Sequence, residues 1–204
     1  MNVASTNQET RADPLTLGEL LYAAPEIART TEKDWLLLIR AIAAGEEAAL
    51  RLLYEKTYPI VFSYLIRLSG DREVTEGLIV DVYQDIWCEA PVFDGADGPV
   101  LGWIMRLARA RALAATTRGL ASASKDSAPH AADDQRLMED RSVHVALATL
   151  TTQEREAIEA TVLNGLTYTE LAAQWQETVG TIKSRIRSGL LKLQQALRAG
   201  VDES

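Results

Sequence analysis

Apolar residues recur every three or four positions along most of this chain, and alternating runs of β-branched residues are missing. That spacing gives each segment one apolar stripe and leaves no pleated face for a sheet, so the expected fold class is all-α. Local punctuation then divides the chain. Trp35, Leu38, Ile39 and Ile42 line one helical face that Gly45 closes. A second helix is expected from Glu46 to Ser69, with Leu50, Leu53, Tyr54, Val61, Tyr64, Leu65 and Leu68 inward and Pro59 placing a kink. Gly70-Asp71 turns the chain into a third helix, from about Arg72 to Ala90. The stretch Pro91 to Pro99 mixes glycine, proline and acids and reads as a loop. A fourth helix follows from about Val100 to Arg118, with Trp103, Ile104, Leu107 and Leu113 as its apolar residues.

Beyond Arg118 the composition changes. Gly119 to Ala132 is small, polar and nearly free of large apolar residues, as in a flexible linker. The expected organisation is an extension over 1–30, a domain over 31–118, a linker over 119–141, a second domain over 142–198 and a tail over 199–204. Within the extension, Leu15 to Ile27 can form one short amphipathic helix, broken at Pro25. In the second domain, Thr151-x-x-Glu154 and Thr167-x-x-Glu170 are capping boxes, in which hydroxyl and carboxylate reciprocally satisfy free helix-end amides. The first of these helices ends at Asn164-Gly165 and the second at Trp175. A last helix runs from about Thr178 to Leu197, ended by Gly200.

The formal net charge is -8 over 204 residues, so indiscriminate binding of nucleic acid by the whole chain is excluded. Against that background the last helix stands apart. Thr178 to Gly200 carries Lys183, Arg185, Arg187, Lys192 and Arg198 and no acid. Val179, Ile182, Ile186, Leu190 and Leu193 form its buried stripe, facing Leu171, Ala172 and Trp175 of the short helix before it. A short helix, a tight turn and a basic helix make a helix-turn-helix. Its second helix fits a major groove, with base edges read by amino-terminal residues and phosphates held by basic ones. Pro99 to Arg118 is likewise acid-free and holds Arg106, Arg109, Arg111 and Arg118, with Trp103 on the same helix. Arginines with an aromatic ring can grip a strand whose bases are unstacked. The third helix has the opposite character. Glu76, Asp81, Asp85 and Glu89 recur at four or five residues, a face suited to a basic protein surface. Trp87 and Trp103 are both expected in the core.

Two sequences within the second domain carry a family resemblance. Asn164-Gly165-Leu166-Thr167-Tyr168-Thr169-Glu170-Leu171-Ala172 is followed by Val179-Gly180-Thr181-Ile182-Lys183-Ser184-Arg185. Together they resemble the carboxy-terminal domain of extracytoplasmic-function (ECF) sigma factors. The resemblance implies that Thr181, Lys183, Ser184, Arg185 and Arg187 read a −35 promoter element. Asp34 to Tyr54 is similar to the family's opening helix pair, and Asp81-Val82-Tyr83-Gln84-Asp85-Ile86-Trp87 to its polymerase-clamp helix. Phe93-Asp94 and Gly102-Trp103-Ile104 are similar to the loop and helix that capture a −10 element. The implied polymerase contacts are Glu76, Asp81, Gln84 and Asp85, and the implied −10 contacts are Trp103, Arg106, Arg109, Arg111 and Arg118. The likeness is nearest to the sigma-K-like group. It implies core RNA polymerase, promoter DNA and a membrane-anchored anti-sigma factor as partners, without membrane insertion of the chain itself.

The chain departs from the family pattern at several positions. An acid and a glutamine are replaced by Gly77 and Val80, and asparagine, aspartate and arginine by Ala110, Ala114 and Thr117. The turn usually holds a glycine where this chain has Gln176. Gly77, Val80 and Ala110 motivate a second reading, a sigma-like decoy that binds an anti-sigma factor without starting transcription. A one-piece helix-turn-helix regulator is a third, though no dimerisation helix is evident. Catalysis has no constellation to rest on. His130 and His144 lie in or beside the linker, Cys88 has no nearby histidine, no cysteine–histidine set fits a zinc site, and no glycine-rich phosphate loop occurs, so neither enzyme activity nor a cofactor is expected. A single cysteine, a polar start and the lack of a long apolar run point to the cytoplasm.

Overall fold

The computed structural model of the chain describes residues 17–18, 30–117 and 145–202. Most of the expected Leu15–Ile27 helix, the 119–141 linker, Arg118, His130, His144 and the side chain of Arg198 lie outside the described residues. Every regular element among the described residues is helical.

Four helices form the first group. Helix α1 (Glu32–Ala43) starts at a capping box in which Thr31 and Asp34 satisfy each other's backbone amides, and the chain leaves it through Gly45 at φ 88°. Helix α2 (Glu47–Ser69) contains Pro59 and ends at Gly70 in the left-handed conformation. Helix α3 (Arg72–Glu89) is capped by the Asp71 side chain on the Val74 amide and runs into a 3₁₀ turn at Ala90–Val92, so the expected helix end is tightened into that turn. Helix α4 (Val100–Thr117) is capped from a distance. The Val100 amide, an orphan donor of a helix start, donates to Glu32 Oε1 of α1 at 2.8 Å. Trp35, Ile39, Leu53, Val82, Ile86 and Ile104 are buried where these helices meet. Tyr54 and Leu68, expected inward, are exposed, as is the apolar Leu113, because their faces point away from that meeting point.

The second group opens with a helical turn at 145–148. Helix α5 (Thr152–Ile158) has the Thr151–Glu154 capping box and widens into a π turn at Glu159–Leu163 before Gly165. Helix α6 (Tyr168–Trp175) has the Thr167–Glu170 box. Helix α7 (Val179–Asp202) continues through Gly200, which therefore does not end it. Ile182, Ile186 and Leu193 of α7 are buried with Leu171 of α6 and Ile158 of α5. Gly189 lets α7 cross α5 closely, since a Cβ there would lie 2.8 Å from Ile158 Cδ1 and 3.2 Å from Glu154 Cβ.

The two groups pack on each other through α4 and the π turn. A Cβ on Gly102 of α4 would lie 2.6 Å from the Thr161 carbonyl oxygen, and one on Gly165 2.6 Å from Arg106 Cγ. Polar bonds accompany this contact. The Tyr168 amide, free at the start of α6, donates to the Asp97 carbonyl at 2.9 Å. Arg109 Nη1 donates to the Asn164 carbonyl at the end of the π turn, also at 2.9 Å. Each of these bonds thus satisfies an orphan helix-end atom of the second group with an atom of the first.

Candidate nucleic-acid interface

Helix α7 presents its polar face outward. Thr181, Lys183, Ser184 and Arg187 are all exposed. The Thr178 hydroxyl accepts from the Thr181 amide at 3.1 Å and lies 2.9 Å from the Thr181 hydroxyl, so the start of the helix is held by a side-chain cap. The Lys183 ammonium sits 5.2 Å from the centre of the Tyr168 ring, a cation–π contact that directs it along the helix start. Arg185 is placed differently. Its guanidinium donates to both Glu177 carboxylate oxygens, at 2.6 and 3.0 Å, and lies 5.3 Å from the centre of the Trp175 ring. Only 15% of its side chain is exposed. Arg185 holds the Glu177 carboxyl below the usual carboxylate range.

The turn before α7 keeps the geometry of a glycine turn without the glycine. Gln176 adopts φ 56°, its amide donates to Ala173 O, and the Glu177 amide donates to Ala172 O. These are the paired bonds of a Schellman motif. Below the turn, Glu154 anchors α7 to α5. Its carboxylate accepts from the Thr151 amide, Ser188 Oγ and Lys192 Nζ, at 2.9, 2.7 and 2.8 Å. Burial pushes its pKa up, but those donors win and hold it at about 2.

The arginines of helix α4 are more closely engaged by the rest of the chain. Trp103 is buried and stacks on Phe93, with ring centres 4.4 Å apart, as the expectation of a core residue has it. Arg109 is tied to Asn164, and Arg106 lies against Gly165. Arg111 forms a two-pronged pair with Asp85 of α3 and a second contact with Asp81 at 3.7 Å. Of the residues assigned by resemblance to a −10 element, Trp103, Arg106, Arg109 and Arg111 share this helix; Trp103 is buried, Arg106 and Arg111 are half-buried, and Arg109 is exposed with its guanidinium held by the Asn164 carbonyl.

The acids of α3 separate into two rows. Glu76, Val80 and Gln84 lie four apart on an exposed row that lines a groove of about 700 Å³ with Tyr54, Tyr58 and Trp87. Asp81 and Asp85 lie on the adjacent row and face Arg111. Trp87, expected in the core, is half-buried at this groove, and Cys88 beside it is exposed. Gly77 is open, with nothing within 4 Å of a Cβ built there. Among the described residues, no group of three or more histidine, cysteine or acidic side chains is placed to hold a metal ion, and no helix is long and apolar enough to cross a membrane.

Residues 140–193 match the family model described as Sigma-70, region 4. Over 195 residues the chain is 31% identical to the ECF RNA polymerase sigma factor SigK of Mycolicibacterium vanbaalenii, covering 90% of this chain and 98% of that protein. The chain belongs to the ECF RNA polymerase sigma factors. The SigK of Mycobacterium tuberculosis strain H37Rv is 30% identical over 171 residues, covering 78% of this sigma factor and 91% of that one. A solved structure of CnrH in complex with the cytosolic domain of CnrY is 22% identical, covering 80% of this chain and 97% of that one at a TM-score of 0.39. An ECF sigma factor is a transcription regulator that directs RNA polymerase to its promoters, and this chain is an alternative sigma factor of that kind.

Several residues of this site carry no sequence signal. Glu177 is an isolated acid in a turn, eight residues from its partner. Glu32, Asp97, Thr161 and Asn164 act through long-range contacts that periodicity does not encode.

Proposed function

We propose that this sigma factor reads a −35 element with the open face of α7 and captures a −10 element with α4, acting as a specificity subunit with no catalysis of its own. The observation that carries the reading is the acid-free face of α7, where Thr181, Lys183, Ser184 and Arg187 stand exposed within two helical turns in a chain of net charge -8. The functional domains in this reading are 31–118 and 142–198, joined by 119–141. Glu76 and Gln84 of the exposed α3 row dock on the polymerase clamp. Asp81 and Asp85 serve chiefly to hold Arg111. Arg106, Arg109, Arg111 and Arg118 form the −10 set.

In this reading the packed arrangement is the resting form of the free protein. Arg106 and Arg109 lose their contacts with the second group when the π turn leaves α4, so in this reading engaging polymerase and DNA separates the two groups. The partners are core polymerase and promoter DNA, in the cytoplasm, with a membrane-anchored anti-sigma factor that holds the protein out of action. A second reading, a decoy for an anti-sigma factor, draws on Val80, which is 67% exposed in the α3 row where the family carries a polar side chain.

Transcription in vitro with purified core polymerase and fragmented genomic DNA separates the two. A working sigma factor yields new transcript starts that share upstream −35 and −10 patterns. No starts, with folded protein and a polymerase active with another sigma factor, would leave the decoy.

A further inference from the structure

The turn between α6 and α7 contains an arrangement that the promoter-reading assignment leaves unused. Arg185 sits on the amino-terminal half of the reading helix, yet its guanidinium is committed on three sides. Both Glu177 oxygens receive it, and the Trp175 ring covers one face. A guanidinium has a planar fork of donors that matches a carboxylate as well as it matches the edge of a guanine, so the two uses compete. The three residues also join three separate pieces of the motif. Trp175 ends α6, Glu177 lies in the turn, and Arg185 lies two helical turns into α7. The turn they span is the one built around Gln176 in a left-handed conformation that favours glycine. A side-chain clasp across such a turn fixes the angle at which α7 leaves α6.

We propose that Glu177 is a positioning residue for promoter reading, and that Arg185 acts through its pairing with Glu177 and Trp175, setting the pose of α7, while Thr181, Lys183, Ser184 and Arg187 meet the DNA. The inference rests on the reading of −35 DNA by α7. It makes an unusual demand on sign. Glu177 stands beside a face that meets phosphates, so as a mere repelling charge its removal would tighten DNA binding. As a parking place for a base-reading Arg185, its removal would also tighten binding. As a positioning residue its removal weakens binding.

The test uses the full chain assembled with core polymerase and a duplex that the wild-type complex selects from a randomised −35 library. Affinity is measured across a range of salt, below the melting temperature of each variant. Glu177→Ala is expected to weaken binding about tenfold, with the salt slope unchanged, whereas Lys183→Ala at a phosphate would lower the slope by about one. Arg185→Glu and Glu177→Arg alone are expected to lose binding, and the double reversal to regain it to within about threefold of wild type, because the clasp is rebuilt with its charges exchanged. If Glu177→Ala impairs folding, Glu177→Gln retains the shape and carries the same comparison. Binding by Glu177→Ala as tight as wild type or tighter, or a double reversal no better than Arg185→Glu, overturns the proposal. If Lys183→Ala loses affinity in that same experiment, only the clasp falls. If the wild-type complex selects no duplex, or Lys183→Ala binds as wild type does, the reading of −35 DNA by α7 falls and the clasp with it.

Discussion

Helices α4 and α7 are both free of acids through their arginine-bearing stretches, and each is assigned by family resemblance to promoter DNA, yet they meet different surroundings. Among the described residues no helix packs over the outer face of α7, and Thr181, Lys183, Ser184 and Arg187 are exposed. The corresponding side chains of α4 are met by protein. Arg111 finds the acids of α3, Arg109 finds a helix-end carbonyl, and Arg106 lies against Gly165. The lesson is that a run of arginine without acid announces a need for negative partners but not where they come from. On α7 the resident chain supplies a carboxylate to Arg185 and a ring face to Lys183. On α4 it supplies partners to Arg109 and Arg111, and a promoter has to compete for them.

The comparison can be broken first on the α7 side. Glu154→Ala removes a buried carboxylate that serves a capping box, Ser188 and Lys192 at once. It is expected to destabilise the second group by about 3 kcal/mol while leaving α1 to α4 folded, as read by thermal unfolding with hydrogen exchange. The same carboxyl gives a pH dependence of known sign. Its folded pKa of about 2 lies below the ordinary 4.5. Its contribution is therefore complete above pH 4.5 and is lost as pH falls from there towards 2. Acid unfolding that begins in the first group instead would contradict this. Next in size, Lys183→Ala is expected to cost about 1–3 kcal/mol of −35 binding if the ammonium meets a base, measured by titration of a selected duplex.

The α4 side is sharpened by Gly102→Ala. Inside one helix that change favours folding by about 1 kcal/mol. Across the contact it puts a methyl 2.6 Å from the Thr161 carbonyl. The expected result is an α4 that is no less stable in its own group but no longer packed on the π turn, seen as a larger radius of gyration in solution scattering. An unchanged radius would show that the contact yields without opening. The smallest effect concerns the turn. Gln176→Gly relieves a non-glycine residue at φ 56° and is expected to raise stability by roughly 0.5–1 kcal/mol, seen in the melting temperature.

Helix identity was largely legible because it depends on local rules. The capping boxes at Thr151 and Thr167, the left-handed glycines at 45 and 70, and the stripe of Ile182, Ile186 and Leu193 all obey spacing within a few residues. The misplacements have a common cause. Tyr54, Leu68 and Leu113 fit an apolar stripe, but which part of a broad stripe is covered depends on where the neighbouring helix crosses. Gly200 reads as a helix end, yet α7 runs through it, because a helix tolerates a glycine at modest cost. The candidate site was legible as a set of residues and illegible as a set of pairings. That Asp81 and Asp85 serve Arg111 while Glu76 and Gln84 face a groove follows from the crossing of α3 and α4, and that Arg185 serves Glu177 follows from a turn.

The most direct measurement is the distance between the two groups in the free protein and in the polymerase–promoter complex. Cys88 is exposed on α3, and Gln174 on α6 can be changed to cysteine for a second label. Pulsed spin-label or fluorescence distance measurements are predicted to give one short, narrow distribution for the free chain, lengthening when polymerase and promoter bind. A broad, long distribution in the free chain, unchanged in the complex, would contradict the account, since α4 would then be as open as α7 from the start.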